Sequence, residues 1–345
     1  MKASGQNWLS GWQYRKSHVI NKATDAGTNY QVKIVAHYNT GTDNDSDVYL
    51  NTHARNDFGD VRFTGSDGST LLDYWMESKV DSDNAVFWVE VADDLSTNAV
   101  TIYVYYGNAN ATTTSNGANT FLFFDDFSSA TETLTFSGVG SWSRDTVNGW
   151  LVHSGGGGDA FATKDIGVTN VRVLTKCYYV TSAANKMGTT LRFTDTNNWY
   201  LELTQGGSQN FWGIGKKVAG TWSFLTSVSY TPVLATWYKI DSRVYSTTLR
   251  GKIDTTDISA TDSSFTTQTK HGLFANAASG NTIRFDYIAI AKYVYPEPSH
   301  GSWGSEETWN WHVAVGNPDI SWGMIFLFFG IILGLGFTLL KTKKR

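Results

Sequence analysis

The segment 85–106, AVFWVEVADDLSTNAVTIYVYY, decides the fold class. It contains two runs, AVFWVEV and VTIYVYY. In each run, apolar side chains at every second position alternate with a different set of side chains at the positions between them. A period of two residues is typical of β-strands, because successive side chains point to opposite faces of a sheet. We therefore predict two adjacent antiparallel strands joined through the turn formers ADDLSTN. Tyr103 and Tyr105 are expected to pack under a neighbouring domain or loop, with a ligand platform as the alternative.

The same period extends over most of the chain. No amphipathic helical segment of useful length precedes residue 320, and many short strands with Gly, Asn, Asp and Ser turns follow residue 120. The length of 345 residues favours two domains, and GNANATTTSNGAN near residue 115 has the composition of a linker. We predict an all-β protein with a small β-sandwich at 1–115 and a second, jelly-roll sandwich at 116–295.

The C-terminal segment gives the strongest single signal in the sequence. Residues 322–340 carry no charged side chain, and a helix of that length, at ~1.5 Å per residue, matches the hydrocarbon core of a bilayer. We predict one transmembrane helix at 322–340, preceded by a short stalk at 296–321 and followed by a basic tail at 341–345. The tail places the C-terminus in the cytoplasm by the positive-inside rule. The bulk of the chain is then extracellular, or on a virion envelope, and the lipid bilayer is a partner.

Charge and composition exclude some classes of partner. A net charge of −4, from 27 Lys and Arg against 31 Asp and Glu, gives no basic surface for nucleic acid. The one cysteine, Cys177, lies in a predicted strand and is expected to be a buried thiol. The sequons at Asn44 and Asn110 are candidate glycosylation sites and agree with an outside location. Residues 1–16 have no apolar signal-peptide core, so either a leader is missing from this sequence or the terminal helix directs insertion, which leaves the bulk inside.

Two stretches resemble known families. Residues 11–125 resemble the domain-of-unknown-function family 2341 of archaeal and bacterial surface proteins, through WQYRKSHVI, GDVRFTGSDGSTLLDYWMES, AVFWVEV and TIYVYYGNANA followed by FFDDF. That family has no established activity. Residues 120–295 are similar to concanavalin A-like (laminin-G-like) lectin and glucanase sandwiches, through FDDFSS at the start and RFDYIAIAKYVYPEP at the end. Lectins, sugar hydrolases and structural modules share this fold, so the second resemblance implies an architecture only.

The sequence lacks the signatures of catalysis. Retaining glycosidases need two carboxylates about 5 Å apart, and the glucanases of the resembled fold place them in an E-x-D-x-x-E string, which is absent. Glu202 has no carboxylate two or four residues away on its strand, so a structural or solvent-facing role is expected for it. No nucleophile elbow, zinc motif or phosphate loop occurs either. We predict a protein that is not an enzyme and requires no cofactor, with a glycosidase as the least favoured alternative.

Two groups of aspartates are candidate ligands for a structural calcium ion. The first, in DNDSD, places carboxylates at alternate positions of a loop, a spacing that calcium uses, although a solvated acidic turn is the ordinary interpretation. The second group combines FDDF with FDYI, whose strands would meet where the sandwich closes. The alternative to calcium binding is that these carboxylates accept hydrogen bonds from loop amides. The candidate residues are Asp43, Asp45 and Asp47, and Asp125, Asp126 and Asp286.

One predicted hairpin, TDTNNWYLELTQGGSQNFWGIGKK, combines the residue types that bind sugars. Aromatic rings stack on the apolar faces of pyranose rings, and neighbouring amides bond the hydroxyls. Tryptophan in a sandwich is more often part of the core, which is the alternative here. The candidate glycan face consists of Asn198, Trp199, Tyr200, Gln209, Asn210 and Trp212.

These observations predict a membrane-anchored surface protein with a lectin-like ectodomain. Its expected function is binding of glycans or of another surface, as in adhesion. The alternative is a structural surface-layer, envelope or virion spike protein that assembles as a homo-oligomer through its sandwiches. The two functions differ in their partners, which are glycans or other surface proteins in the first case and copies of the same chain in the second.

Overall fold

The computed structural model describes residues 7–309, and residues up to Glu307 belong to one compact unit. Apart from one short helix, every described element is a strand, which confirms the all-β prediction. No helix among residues 7–309 is long and apolar enough to cross a bilayer. The predicted transmembrane helix at 322–340 and the tail at 341–345 lie outside the described residues.

In chain order, the first group of elements comprises β1 (Tyr14–Ile20), β2 (Tyr30–His37), β3 (Asp47–Tyr49), β4 (Arg62–Thr64), β5 (Tyr74–Val80), β6 (Asn84–Val91), β7 (Val100–Tyr106) and the helix α1 (Gly117–Thr120). The second group comprises β8 (Phe123–Asp125), β9 (Thr135–Gly138), β10 (Ser141–Asp145), β11 (Trp150–Ser154), β12 (Ala160–Asp165), β13 (Val171–Tyr179), β14 (Lys186–Asp195) and β15 (Asn198–Gln205). It continues with β16 (Phe211–Val218), β17 (Thr221–Ser229), β18 (Trp237–Tyr245), β19 (Thr248–Ile253), β20 (Thr256–Thr261), β21 (Lys270–Asn276) and β22 (Thr282–Lys292). The last strands are β23 (His300–Trp303) and β24 (Glu307–Thr308).

The first sandwich consists of two sheets with the strand orders β23-β1-β7-β4 and β3-β2-β6-β5. Because β6 pairs with β2 and β5 while β7 pairs with β1 and β4, the prediction that β6 and β7 are adjacent strands is wrong. Phe87 and Val89 of β6, and Ile102 and Val104 of β7, all enter one buried core. The two strands therefore lie in different sheets of the sandwich and contribute to its core from opposite sides.

The tyrosines of β7 are packed, and they form no open platform. Tyr106 belongs to the core, and Tyr105 is fully buried on the other face of the sheet. The hydroxyl of Tyr105 donates to the carbonyl of Gly68 at 2.7 Å and accepts from Nη1 of Arg15 at 2.8 Å. The guanidinium of Arg15 also lies 4.3 Å from the ring centroid of Tyr103. The interpretation of Tyr105 as a residue packed beneath a loop is thereby confirmed.

The second sandwich consists of two facing antiparallel sheets. The eight-stranded sheet has the order β10-β11-β22-β13-β18-β19-β20, with β8 also paired to β22, and the seven-stranded sheet has the order β17-β16-β15-β14-β21-β12-β9. The pairing of β8 with β22, which sets Asp125 opposite Ile288, is the closure expected from FDDF and FDYI. The apolar core between the sheets includes Cys177, where burial raises the pKa of the thiol.

The two sandwiches pack against each other through an aromatic cluster. Trp88 of the first sandwich and Phe121, which follows α1, lie in one buried cluster with Tyr287 of β22. At its centre, Glu77 accepts hydrogen bonds from Tyr287 Oη at 2.6 Å, Lys239 Nζ at 2.6 Å and Trp88 Nε1 at 3.1 Å. Although burial alone would raise it, the pKa of Glu77 is lowered by these partners, so this carboxylate is charged and joins the two sandwiches.

The segment predicted as a linker is attached to the first sandwich. Arg62 donates to the carbonyl of Thr112, and the backbone N–H of Met76 donates to Ser115 Oγ at 2.8 Å. Asn116 then caps α1 by accepting from the backbone N–H of Asn119 at 3.1 Å. The polar composition of this segment therefore serves hydrogen bonding to the sandwich.

The stalk prediction is wrong for the part of 296–321 that the structure describes. β23 pairs with β1, so that Trp303 lies opposite His18 and the two rings stack with their centroids 3.7 Å apart. Glu306 then accepts from the hydroxyl of Tyr106 at 2.7 Å. An unpaired edge of β1 would expose a row of backbone donors and acceptors, and β23 pairs with them. Residues 310–321 lie outside the described part of the chain.

Candidate functional site

The predicted glycan face is divided between two sides of the seven-stranded sheet. Tyr200 and Trp212 point into the core between the sheets and are fully buried. The hydroxyl of Tyr200 donates to Asp262 at 2.6 Å, so its polar atom is also engaged. Trp199 points to the opposite, outer side of the sheet. The prediction that Tyr200 and Trp212 contact a ligand is therefore wrong: both are buried in the core, and Tyr200 cannot share a face with Trp199 because adjacent residues of a strand point to opposite sides.

The predicted amide ligands lie at the two ends of the β15–β16 hairpin. Asn198 donates to both oxygens of Asp195, at 3.0 and 3.1 Å, and accepts from the backbone N–H of Ala219 at 2.9 Å, which makes it a turn-forming residue. Asn210 has a positive φ of 48°, a backbone conformation that asparagine adopts at turns. Gln209 is exposed and borders a hollow on the outer side of the sheet.

The outer side of the seven-stranded sheet carries a continuous group of rings, which we call the aromatic face. Neighbouring rings are in contact: the centroids of Trp199 and Trp222 are 5.4 Å apart, and those of Trp222 and Phe224 are 5.1 Å apart. The aromatic face consists of Phe161, Phe193, Trp199, Phe211, Trp222, Phe224 and Phe274. Trp222 is 37% exposed and Phe224 is 46% exposed, so these two rings meet solvent while the others support them.

Two glycines of β16 explain how the rings of Trp222 and Phe224 come to lie over that strand. Gly215 pairs with Phe224, and the next outward pair on these strands is Lys217 with Trp222. A Cβ atom at Gly215 would lie 2.1 Å from the Trp222 ring, and one at Gly213 would lie 3.0 Å from the Phe224 ring. The glycines of FWGIGKK thus leave room for the two rings, as glycines in strands often do where another group approaches closely.

Polar groups border the aromatic face. A hollow of about 250 Å³ lies over Trp199 and is bordered by Asp159, Lys186 and Lys217. The carboxylate of Asp159 accepts from Asn276 Nδ2 at 2.9 Å and forms an ion pair with Lys217 at 3.4 Å. An adjoining hollow of about 310 Å³ shares Lys186 and Trp222 and adds Gln205 and Gln209.

Sequence reasoning missed three residues of this site: Asp159, Trp222 and Phe224. The segment that forms β17 lies in the region of predicted strands, but its two rings are not among the candidate residues of the glycan face. The signal that could have found them is the spacing of Trp222 and Phe224 at i and i+2, which puts both on one face, beside a G-x-G strand that offers them space. Asp159 comes from a distant loop and has no local signal.

The first predicted calcium group does not converge. Asp43 forms an ion pair with Lys16 at 2.7 Å, and its other oxygen accepts from the backbone N–H of Tyr49. Oδ1 of Asp47 and Nε2 of His37 form a hydrogen bond of 2.6 Å. Asp45 lies in the turn between them with a positive φ of 50°. The three carboxylates differ in position or partner and do not converge. DNDSD therefore forms a turn and not a set of oxygen ligands around one ion.

The second predicted group is brought close in part. Asp125 binds Arg144 through two hydrogen bonds of 2.9 and 2.7 Å and therefore faces away from the other two. Asp126 and Asp286 border one hollow, and burial, reinforced by the charge of Asp126, raises the pKa of Asp286. Within residues 7–309 there is no cluster of three His, Cys, Asp or Glu side chains that could hold a metal ion. Asn44 and Asn110, the glycosylation candidates, are both exposed.

Glu202 lies in the core between the two sheets. It is fully buried, and neither of its carboxyl oxygens has a hydrogen-bond partner among the described residues. Burial raises the pKa of this carboxyl well above its ordinary value, because the charged form cannot be solvated there. A side chain sealed between the sheets has no path to a substrate.

A cavity of about 530 Å³ between the two sandwiches is lined by charged groups that compensate one another. The guanidinium of Arg172 donates hydrogen bonds to both carboxylate oxygens of Glu297, at 2.8 and 2.9 Å, and to Asp241 at 2.9 Å. Arg243 reaches Asp257 at 3.4 Å. This network joins strands of the second sandwich to the segment that leads back to the first.

Comparison with known proteins gives one family and several distant structures. The family described as "Domain of unknown function (DUF2341)" matches residues 57–145, which confirms the resemblance to that family over a shorter and later range than 11–125. The matched range begins in the first sandwich and ends with β10 of the second. The comparison with curated proteins found no match.

Three of the similar solved structures are as follows. The carbohydrate binding module CBM66 from Bacillus subtilis is 15% identical with a TM-score of 0.39, over 46% of this chain and 95% of the module. The Bacillus licheniformis β-glucanase is 10% identical with a TM-score of 0.39, over 50% of this chain and 98% of the glucanase. The GH43 protein BlXynB from Bacillus licheniformis is 15% identical with a TM-score of 0.41; the match covers 65% of this chain but only 46% of that protein.

Proposed function

We propose that this protein binds saccharides through the aromatic face of its second sandwich, a lectin-like module of the concanavalin A-like type, and that it does so without catalysis. The observation that carries the proposal is the pair of partly exposed rings, Trp222 and Phe224, which lie over Gly215 and Gly213 with an angle of 79° between their planes. Partly exposed aromatic rings offer an apolar surface of the size of a sugar ring, and little side-chain entropy is lost because neighbouring rings already hold them.

Polar groups around the rings supply the hydrogen bonds that a sugar needs. Asp159 can accept from hydroxyl groups, Lys186 can donate to them, and Gln205 and Gln209 can do both. Two joined hollows bordered by one row of rings fit an oligosaccharide better than a single sugar. The uncharged stretch at 322–340 supports display of this module on a membrane, where such binding would act in adhesion.

Replacing Trp222 by alanine is expected to weaken binding of the best neutral oligosaccharide about tenfold or more, because it removes an exposed central ring. Trp222→Phe, which keeps a flat ring, should retain most of the affinity. The measurement is a glycan-array screen of the full-length protein followed by titration calorimetry with the strongest hit. Val147→Ala is the control, since Val147 is exposed but lies in the β10–β11 turn. A wild-type protein that binds no saccharide on the array would overturn the proposal.

A second candidate function is self-assembly of a surface layer. It is favoured by the position of β17 at the edge of the seven-stranded sheet, where Trp222, Phe224 and Val228 are all exposed. An exposed apolar edge strand is able to pair with another copy of the chain. Sedimentation analysis separates the two functions, because self-assembly predicts larger species as concentration rises in the absence of any sugar.

A further inference from the structure

A second strip of rings lies on the outer side of the eight-stranded sheet, opposite to the aromatic face. We call it the arginine strip; it consists of Trp150, Tyr178, Trp237 and Arg284. Tyr178 pairs with Trp237 on one side and with Arg284 on the other. The ring centroids of Tyr178 and Trp237 are 5.0 Å apart, and those of Trp150 and Trp237 are 6.0 Å apart. All four side chains are half-buried, so the strip is both ordered and accessible.

Arg284 is stacked but has no acidic partner. Its guanidinium carbon lies 4.4 Å from the ring centroid of Trp150 and 5.9 Å from that of Tyr178. Among the described residues no carboxylate forms an ion pair with it. Asp145 is near enough for the charge of Arg284 to contribute to its lowered pKa, but the main cause is its bond to Asn148, which holds its oxygen at 2.8 Å.

The stacking leaves the binding edge of Arg284 available. A guanidinium that lies face-on to aromatic rings keeps its N–H groups in its own plane, along the edge that meets carboxylate or sulfate in a two-point contact. Arg284 is therefore held ready for an anion that the chain itself does not provide.

The hollow beside the strip, of about 280 Å³, has room for a sugar ring. It is lined by Trp150 and Trp237 together with Lys176, Lys239, Asp254 and Asp286. Lys239 is bound to Glu77 at 2.6 Å, whereas Lys176 is only loosely paired with Asp286, at 3.9 Å. Two rings, two ammonium groups and two carboxylates thus line this space, and Arg284 adjoins it through its contact with the Trp150 ring.

We propose that the arginine strip is a second saccharide site, specific for sugars that carry an acid group. Trp150 and Trp237 hold the apolar faces of the saccharide, and Arg284 binds its carboxylate or sulfate. The inference goes beyond the proposed function, because the site lies on the other sheet and selects charge. Together the two sites make the second sandwich bivalent, able to bridge two saccharide chains on opposite sides.

The test uses the full-length protein and three oligosaccharide probes: oligogalacturonate for carboxylate, sulfated dextran oligomers for sulfate, and unmodified dextran oligomers as the neutral reference. Calorimetry should detect binding of at least one acidic probe, weakening as salt rises. Arg284→Gln should reduce that affinity at least tenfold, and Arg284→Lys should restore part of it, because lysine keeps the charge but not the two-point contact. The acidic probe that binds more tightly identifies the acid group.

Arg250→Gln is the matched control. Arg250 lies on β19 of the same sheet, and its guanidinium carbon is 4.7 Å from the ring centroid of Tyr295, so its loss removes equal charge elsewhere and should leave the affinity unchanged. The proposal is overturned if the acidic probes bind no better than neutral dextran, or if Arg284→Gln binds them as wild type does. It is also overturned if Trp222→Ala abolishes acidic binding, which would place that binding on the aromatic face. Thermal unfolding of each variant verifies that it is folded.

Discussion

Glu202→Gln is expected to flatten the pH dependence of stability and to make the protein more stable than wild type at neutral pH. The carboxyl of Glu202 is sealed between the two sheets with no hydrogen-bond partner for either oxygen among the described residues. Its charged form is therefore strongly disfavoured in the folded state and solvated in the unfolded state. Glutamine has the same shape and no charge to lose.

The direction of the pH effect follows from the raised pKa. Below the unfolded-state pKa of about 4.3 the carboxyl is protonated in both states, so its contribution to stability is fully present. Above that pH the unfolded chain loses the proton while the folded chain keeps it, because burial raises the pKa of Glu202 in the folded state. The free energy of unfolding then falls by about 1.4 kcal/mol per pH unit until the folded-state pKa is reached. The glutamine variant lacks this loss.

Urea unfolding of both proteins between pH 4 and pH 8 measures the difference. The stability of Glu202→Gln relative to wild type should increase steadily from pH 5 upward. Asp93→Asn, which changes an exposed carboxylate in the turn between β6 and β7, is the control and should keep the wild-type slope. Parallel curves for wild type and Glu202→Gln would show that Glu202 is accessible to solvent and would contradict its placement in the core.

Glu77→Ala is expected to lower the free energy of unfolding by about 3 kcal/mol. The Glu77 side chain is only 2% exposed and accepts from Lys239, Tyr287 and Trp88 at the junction of the sandwiches. Its removal leaves the buried hydroxyl of Tyr287 and the indole N–H of Trp88 without an acceptor. This expected loss of unfolding free energy is at the low end of the range for breaking a buried ion pair, because Lys239 is 35% exposed and can be rehydrated.

Denaturant unfolding at pH 7 measures this effect, and a neighbouring ion pair supplies the control. Lys79 and Asp81, just beyond Glu77, form an exposed pair, so Asp81→Ala should cost less than about 1 kcal/mol. Glu77→Gln should lie between the two, since an amide can still accept from one donor. A cost below about 1 kcal/mol for Glu77→Ala would mean that the two sandwiches do not depend on this carboxylate.

Local sequence patterns correctly predict the strands, but they do not predict which side of each strand is buried. NWYLELT and FWGIGKKV are strands, β15 and β16, as the alternation indicates. The candidate glycan face includes both Trp199 and Tyr200, although adjacent residues of a strand must point to opposite sides. Which of the two sides is the core depends on the facing sheet, which contributes residues such as Ile240 and Ile258 from far along the chain.

Two predictions made from neighbouring residues are wrong because residues far along the chain determine the structure there. The turn formers between β6 and β7 indicate a hairpin, but β6 pairs with β2 and β5 while β7 pairs with β1 and β4, so the two strands lie in different sheets. The prolines and small residues after 295 indicate a stalk, but β23 pairs with β1, which lies about 280 residues earlier. In each case a free strand edge or an apolar face elsewhere decided the outcome.

The sequence by itself determined the all-β class, because a period of two residues is a property of neighbouring side chains and needs no distant partner. It also suggested the closure of the second sandwich, through the segments that became β8 and β22. Only the tertiary structure decided which rings are buried and which are exposed, and it alone assembled Asp159, Trp199 and Trp222 into one face. The physical reason is that burial depends on what packs against a strand, and that information is distributed over the whole chain.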